Sequence, residues 1–349
     1  MNVVINKKSE WNIMKNLTSL KWGMIGCGDV TEKKSGPAFN KVAHSSLAAV
    51  MCRTPGRARD YAQRHHIPRW YENIEGLLQN QDVNAIYVAT PPDSHAYYTE
   101  LVAATGRPVY VEKPMARTYK ECLRMIDVCE KADVPLFVAY YRRRLPKFLQ
   151  IEELLNSGTI GEVRAVSTML LIPPGPADLN PDNLPWRVIP EIAGGGYFVD
   201  LASHQLDLLD YLLGSITEAS GVSGRQAKLY PAEDIVSAHF RFESGIIGNG
   251  LWCFSVSEPQ QIDRTEIIGS AGKITFSFFD ASSIEVLTDT GLNKIETTWP
   301  EYVQQPLIET VVEELSGKGV CPSTGRSAAR TSFVMDLMLN RDASLSKGQ

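Results

Sequence analysis

A chain of 349 residues corresponds to about two domains of ordinary size, and its 44% hydrophobic and 21% charged content is that of a globular protein, which excludes disorder, collagen and coiled coil. The 35 Lys and Arg against 40 Asp and Glu leave a formal charge of −5, the wrong sign for a surface that wraps nucleic acid. No run approaches the roughly 18 apolar residues of a membrane span: Asp207 and Asp210 interrupt even Leu206 to Leu213.

Residues 1–20 read as an N-terminal extension, since those before about 18 show no hydrophobic period. The segment is either a loosely held tail or a stretch ahead of Met14 as the true start. It lacks the apolar core and small-residue cleavage site of a secretory signal, so the expected compartment is the cytoplasm. From Lys21 onward, short apolar runs alternate with amphipathic ones, the rhythm of parallel βαβ units. Strands are expected at Trp22 to Ile25, Leu47 to Cys52, Ala85 to Ala89, Val109 to Val111 and Leu136 to Ala139. Helices are expected at Ala58 to Arg64, Ile74 to Leu78, His95 to Ala104 and Tyr119 to Lys131. Residues 21–142 therefore read as a Rossmann dinucleotide-binding domain, a doubly wound parallel sheet with helices on both faces.

After about residue 160 the rhythm changes to longer strands joined by Gly-bearing turns: Arg164 to Leu171, Ile235 to Phe242, Ile246 to Phe254, Thr265 to Ile268, Lys273 to Phe276 and Ile284 to Leu287. This pattern predicts a mostly antiparallel open sheet. One helix, from roughly Gly196 to Leu213, is embedded in it and stopped by Gly214. The proline-rich LIPPGPADLNPDNLPWR is a long loop, and such loops tend to be functional. Residues 143–349 thus read as a C-terminal α+β domain for substrate binding and oligomerisation, with Ile246, Leu251 and Trp252 expected on the sheet's open face. Six cysteines, at 27, 52, 122, 129, 253 and 321, form no CxxC pair and read as buried thiols in a reducing compartment.

Gly26-Cys27-Gly28 follows the first strand and precedes a helix, the context a dinucleotide fingerprint requires. One glycine permits the tight turn and the other lets backbone N–H groups approach a pyrophosphate. Gly26, Cys27, Gly28, Asp29 and Val30 are the expected contacts, although Thr31 occupies the third glycine position. The second strand ends in Met51-Cys52-Arg53-Thr54, without the acid that binds the ribose 2′-OH of NAD. Arg53 can pair with a 2′-phosphate, so NADP is favoured, with NAD and a merely solvent-facing Arg53 as the alternatives. Thr90-Pro91-Pro92, followed by His95, and Glu112-Lys113-Pro114 close the third and fourth strands, where open α/β sheets gather ligand contacts. Downstream come Trp186-Arg187, Gly194-Gly195-Gly196, and then Asp200, His204 and Asp207 on one face of an otherwise apolar helix. Polar groups in such a place need partners, supplied either by a structural ion pair or by a site. No HExxH or cysteine cluster accompanies them, and no metal is expected.

In this order GCG, TPP with its following His, EKP, WR, GGG and DxxxHxxD resemble the Gfo/Idh/MocA oxidoreductases, the glucose-fructose oxidoreductase and inositol dehydrogenase family, from about Lys21 to at least Gly214. The resemblance implies catalytic roles for Lys113, Asp200 and His204, with a cis bond before Pro114. His204 would act as general acid/base for a substrate hydroxyl, Lys113 would orient that hydroxyl, and Asp200 would hold Lys113 or the substrate. Glu112 and Arg187 would contact the cofactor along with Thr90 and Pro91, and His95 would border the nicotinamide. Tyr141 and Arg142, where the family's linker enters the substrate domain, suit polyhydroxylated or anionic substrates. One departure is Ala202-Ser203, where many relatives carry a glycine.

The implied activity is hydride transfer between a nicotinamide and a sugar, cyclitol or related polyol, in a homodimer or homotetramer formed through the C-terminal sheet. Two readings compete with it. One is an NAD-dependent glycosidase working by transient oxidation, and the other is a non-catalytic nucleotide-sensing regulator on the same fold, since fold alone never establishes activity.

Overall fold

Runs that are apolar on both faces suit a parallel sheet buried between two helical layers, and five of them, with one largely exposed edge strand, form the first sheet of the computed structural model, which describes residues 17–341. Residues 1–16 of the expected extension lie outside the described residues. The strands are β1 (Leu20–Ile25), β2 (Ser45–Met51), β3 (Arg69–Tyr71), β4 (Ala85–Val88), β5 (Val109–Val111) and β6 (Leu136–Val138). All are parallel, in the order β3-β2-β1-β4-β5-β6. Connected elements run outward in opposite directions from β1 and β4, which opens a crevice at the carboxyl ends of these two strands.

The helices of this half are α1 (Gly36–Lys41), α2 (Arg57–Arg64), α3 (Ile74–Gln79), α4 (His95–Ala103) and α5 (Tyr119–Lys131). The Asn73 and Thr118 side chains cap α3 and α5 by accepting from Gly76 N and Glu121 N, satisfying N–H groups the helices leave free. Expected strands and helices all occur close to their predicted places. Strand β3 was not foreseen, because Arg69-Trp70-Tyr71 is a largely exposed edge without the apolar run that marks β5 and β6, and it exists by pairing with β2.

The second sheet comprises β7 (Val163–Leu171), β8 (Ile216–Gly224), β9 (Ile235–Phe242), β10 (Ile247–Cys253), β11 (Ile262–Gly269), β12 (Gly272–Phe276), β13 (Ile284–Thr288) and β14 (Gly291–Ile295). Their order is β14-β13-β12-β11-β7-β10-β9-β8, antiparallel except for the β7–β10 pair. The unforeseen strands are the edges β8 and β14, whose Gly, Ser and Asn content hides the alternation a half-buried strand shows. Besides the single helical turn Pro190–Ala193, four longer helices accompany this half among the described residues: α6 (Pro146–Asn156), α7 (Ser203–Leu213), α8 (Gln305–Leu315) and α9 (Gly325–Met338). Of these only α7 was expected.

The sheet buries one face, including Phe240, Trp252, Ile267, Ile274 and Phe276. Trp252 therefore does not lie on the open face where it was expected. Alternation along β10 turns Gly248, Gly250 and Trp252 inward, and the indole N–H donates to Gln205 Oε1 at 2.6 Å. Ile246 is half-buried against the same core, and the open face instead shows Ile247, Ile262, Ile268 and Leu287.

Two features tie the sheets together. Aromatic residues of the first sheet, Trp22, Tyr87, Tyr110 and Phe137, join one continuous apolar core with the second sheet. The chain beyond α8 also returns to the free edge of β6, where Val138 N donates to Ser323 O at 3.0 Å and Ser323 Oγ donates to Val138 O at 2.7 Å. This covers an edge that would otherwise present unpaired backbone groups.

Candidate active site

The crevice beyond β1 and β4 is a cleft of about 710 Å3 that runs from the Gly26–Gly28 turn to α7, within the size range of cofactor and substrate pockets. Gly26 has φ +101°, and a Cβ there would stand 2.6 Å from the Ala89 carbonyl oxygen. Only glycine permits that turn and brings the ends of β1 and β4 together. Gly28 is different, since a Cβ there would meet nothing within 4 Å. It would project into the cleft, so its absence leaves room for a pyrophosphate at the backbone. Cys27, Asp29, Val30, Thr90 and Pro91 line the same end, as do Arg53 and Arg57 beyond β2. The residues present fit a nicotinamide dinucleotide: an open glycine backbone and a basic rim suit its phosphates.

Cys52 also lines this end, beside Cys27. A hydrogen bond from Cys27 brings the Cys52 thiol down to about 5, against the opposing effect of burial. The same contact and burial push Cys27 far up. Cys52 is thus a thiolate at neutral pH.

At the other end stand the residues of the EKP and DxxxH motifs. Lys113 lies just beyond the three-residue strand β5 and is joined to Pro114 by a cis bond, and its Nζ donates to Asp200 Oδ1 at 2.6 Å and to Asp200 O at 2.9 Å. The carbonyl is available because Phe198–Ala202 winds as a π-helical turn ahead of α7, a device often found at functional sites. Arg187 Nε donates to the second carboxylate oxygen, Oδ2, at 3.2 Å. Burial pushes Asp200 up, but the charges of Lys113 and Arg187 outweigh it and hold the carboxyl below its usual range. Gly194, at φ +79°, lets this segment approach the Arg117 backbone, which a Cβ would meet at 2.6 Å.

His204 is buried between Tyr140, Tyr141 and Phe279, whose rings meet it edge-on. Its Nδ1 is fully buried and has no hydrogen-bond partner among the described residues. Burial first, then the positive charges of Arg142, Lys113 and Lys34, drive its pKa well below the ordinary histidine value. The imidazole is neutral at pH 7. Burial raises Tyr141, yet Arg142, Lys34 and Lys113 together leave it lower than an ordinary phenol.

Glu112 lines the cleft with its carboxylate fixed from behind, as Tyr87 Oη and Gln304 Nε2 both donate to its Oε1, at 2.5 and 2.6 Å. One expected residue, His95, stands elsewhere. His95 does not line the cleft; it is wholly buried, with Nε2 2.7 Å from Thr90 O and Nδ1 3.1 Å from Pro114 O. It braces the TPP and EKP turns against each other. Asp207 continues the face of Asp200 and His204 one turn deeper, where it forms a buried ion pair with Arg143.

The proline-rich loop sends only its end, Trp186 and Arg187, into the cleft. It is pinned by Asp178, which accepts from Gly175 N and Tyr197 Oη at 2.7 Å each. Sequence reasoning missed Lys34, Phe279 and Gln304. Lys34 lies in the unpatterned stretch after the glycine turn, and the other two arrive from loops remote in the chain, with no local signal.

Comparison with known proteins agrees with this arrangement. Residues 20–140 match the oxidoreductase family with an NAD-binding Rossmann fold, and residues 148–275 match the GFO/IDH/MocA C-terminal domain. The chain is 37% identical over 318 residues to Oxidoreductase P35 of Formosa agariphila, covering 91% of this chain and 98% of that one. It is 26% identical to the D-xylose 1-dehydrogenase [NADP(+)] of Haloarcula marismortui, over 73% of this chain and 71% of that protein. In fold it resembles the aldose-aldose oxidoreductase of Caulobacter crescentus complexed with glycerol, with a TM-score of 0.82, 24% identity, and coverage of 95% and 98%. Two family matches that span both sheets, and a relative aligned along nearly its whole length, show that this chain belongs to the Gfo/Idh/MocA oxidoreductase family.

Proposed function

We propose that the protein is an NADP-favouring dehydrogenase or reductase acting on a CH–OH group of a sugar, cyclitol or related polyol. The observation that carries this reading is the gathering of Lys113, Asp200 and His204 at one end of a cleft whose other end suits a dinucleotide. The redox chemistry is supplied by a bound nicotinamide, which exchanges a hydride with the substrate's carbinol carbon. Lys113 spends two N–H groups on Asp200, and its third is free to hold the substrate oxygen and to stabilise negative charge there. The neutral imidazole of His204 takes up the hydroxyl proton in oxidation and returns it in reduction. Asp200 aims Lys113, and Arg187 steadies Asp200. Arg53 and Arg57 support the preference for NADP, because guanidinium pairs with a 2′-phosphate.

The test is turnover with cofactor binding measured in parallel. Lys113→Ala and His204→Ala should each cost about a hundredfold to ten-thousandfold in turnover while dinucleotide still binds. Near-normal turnover in both variants would end this assignment of roles. Arg53→Ala should weaken NADPH far more than NADH in a fluorescence titration, and equal losses would remove the preference.

The same reading places the protein in the cytoplasm, supported by six cysteines that are all unpaired. It includes a homodimer or homotetramer formed through the open face of the second sheet, supported by the exposed Ile247, Ile262, Ile268 and Leu287. Among the described residues no helix is long and apolar enough to cross a membrane.

A further inference from the structure

Arg142 and Arg143 are neighbours in sequence, both almost completely buried, and differ in one respect. Arg143 is paired with the Asp207 carboxylate. Arg142 has no carboxylate within ion-pair distance among the described residues, although it lines the cleft and is only 4% exposed. Its Nε donates to Phe278 O at 3.1 Å and its Nη1 to Tyr141 Oη at 2.9 Å. The guanidinium lies over the Phe279 ring at 4.5 Å. Asp263 is near enough to feel its charge but forms no ion pair with it: Oδ2 accepts from the Phe278 and Phe279 backbone N–H groups, and Oδ1 is buried with no hydrogen-bond partner among the described residues. A buried charge without a counter-ion is costly, so an arginine held this way calls for an anion from outside the chain.

The surroundings point the same way. Lys34, on the opposite wall, makes no ion pair among the described residues, and Lys113 and Arg187 share the single carboxylate of Asp200. In a chain of net charge −5, the substrate end of the cleft is positive. The neutral His204 and the acidified Tyr141 both register the field of Arg142 and Lys34.

The geometry points to a carboxylated polyol, a uronic or aldonic acid, as the substrate, with its carboxylate seated on Arg142 and Lys34 while Lys113 and His204 address the reacting hydroxyl. This deepens the dehydrogenase reading above and rests on it. A planar carboxylate pairs side by side with the guanidinium N–H groups that Phe278 O and Tyr141 Oη leave open, and a sugar phosphate is the competing anion that the test must separate from it.

Matched pairs test this: D-glucuronate with D-glucose, D-galacturonate with D-galactose, and D-gluconate with D-glucitol, with D-glucose 6-phosphate as the phosphate arm. Each is titrated calorimetrically into the cofactor-loaded protein and assayed for turnover. An acid should bind about tenfold to a hundredfold tighter than its neutral partner, and Arg142→Gln should collapse that ratio towards one. Lys34→Gln, at an exposed position that does not endanger folding, should lower the same ratio by a smaller factor and weaken its salt dependence. Equal affinities within every pair, no binding of any acid, or a preference for the sugar phosphate overturns the inference. Turnover of neutral sugars in that case leaves the dehydrogenase reading standing. Acids that bind through Arg142 but are never oxidised keep the subsite and remove the dehydrogenase reading instead.

Discussion

His204 and Cys52 owe their ionisation states to neighbours that lie far away in sequence, and both states can be measured. Native His204 stays neutral where an unfolded imidazole takes up a proton, because burial and three nearby cations oppose its charge. Below about pH 6.5 the unfolded state therefore binds more protons, and stability falls as pH drops until the native pKa of His204 is reached. Denaturant unfolding between pH 7.5 and 5 should show that loss, and His204→Gln should flatten it; identical slopes in the two proteins would contradict the placement of His204. Cys52, brought down to about 5, is a half-buried thiolate at the cofactor end of the cleft. It should react with iodoacetamide at neutral pH faster than the other five cysteines, with NADPH protecting it. Equal labelling of all six by mass spectrometry would argue against that state.

Gly26 and Gly28 sit two residues apart in one turn and serve different ends. Gly26 has left-handed backbone and no room for a Cβ against Ala89, so Gly26→Ala should cost about 1–3 kcal/mol of stability. Gly28 has open space before it, so Gly28→Ala should leave the unfolding midpoint nearly unchanged and weaken dinucleotide binding by filling the approach to the backbone. Unfolding curves and NADPH titrations on both variants separate the two roles, and a Gly28→Ala protein that binds cofactor normally would place the pyrophosphate elsewhere. The π-helical turn at Phe198–Ala202 is a comparable case. The sequence reads as one regular helix there, since no residue type marks a π turn, yet the turn is what offers the Asp200 carbonyl to Lys113.

Across the whole molecule, the second sheet buries one face and leaves apolar residues on the other. Light scattering at micromolar concentration should give the mass of two or four chains, and Ile247→Lys with Leu287→Lys should shift it to one; a wild-type monomer would overturn the proposed assembly. Much of this architecture was legible beforehand, because parallel βαβ units and antiparallel hairpins write their different periods directly into the chain. The motifs at strand ends were legible for the same reason: strand, turn and ligand contact are contiguous in sequence. Edge strands β8 and β14 were not foreseen, since their stability comes from pairing rather than from a local period; helices α6 and α9 were not assigned either, nor was α8, although α8 does carry a helical spacing in Leu307, Ile308, Val311, Val312 and Leu315. Trp252 could not share the open face with Leu251 as expected, because neighbouring residues of one strand point to opposite sides, and β10 turns Trp252 into the core. His95 was expected at the nicotinamide from the family resemblance, but its depth within the fold makes it a brace; Asp207, left open between an ion pair and a site, is the buried partner of Arg143. The sequence by itself determined the two sheet types and the glycine turn after β1, and it singled out Lys113, Asp200 and His204, which the fold brings to one cleft. Only the tertiary structure decided which charges meet: the Lys113–Asp200–Arg187 set, the neutral His204 and the unpaired Arg142 depend on distances between segments tens of residues apart, and electrostatic interaction is governed by those distances and by burial.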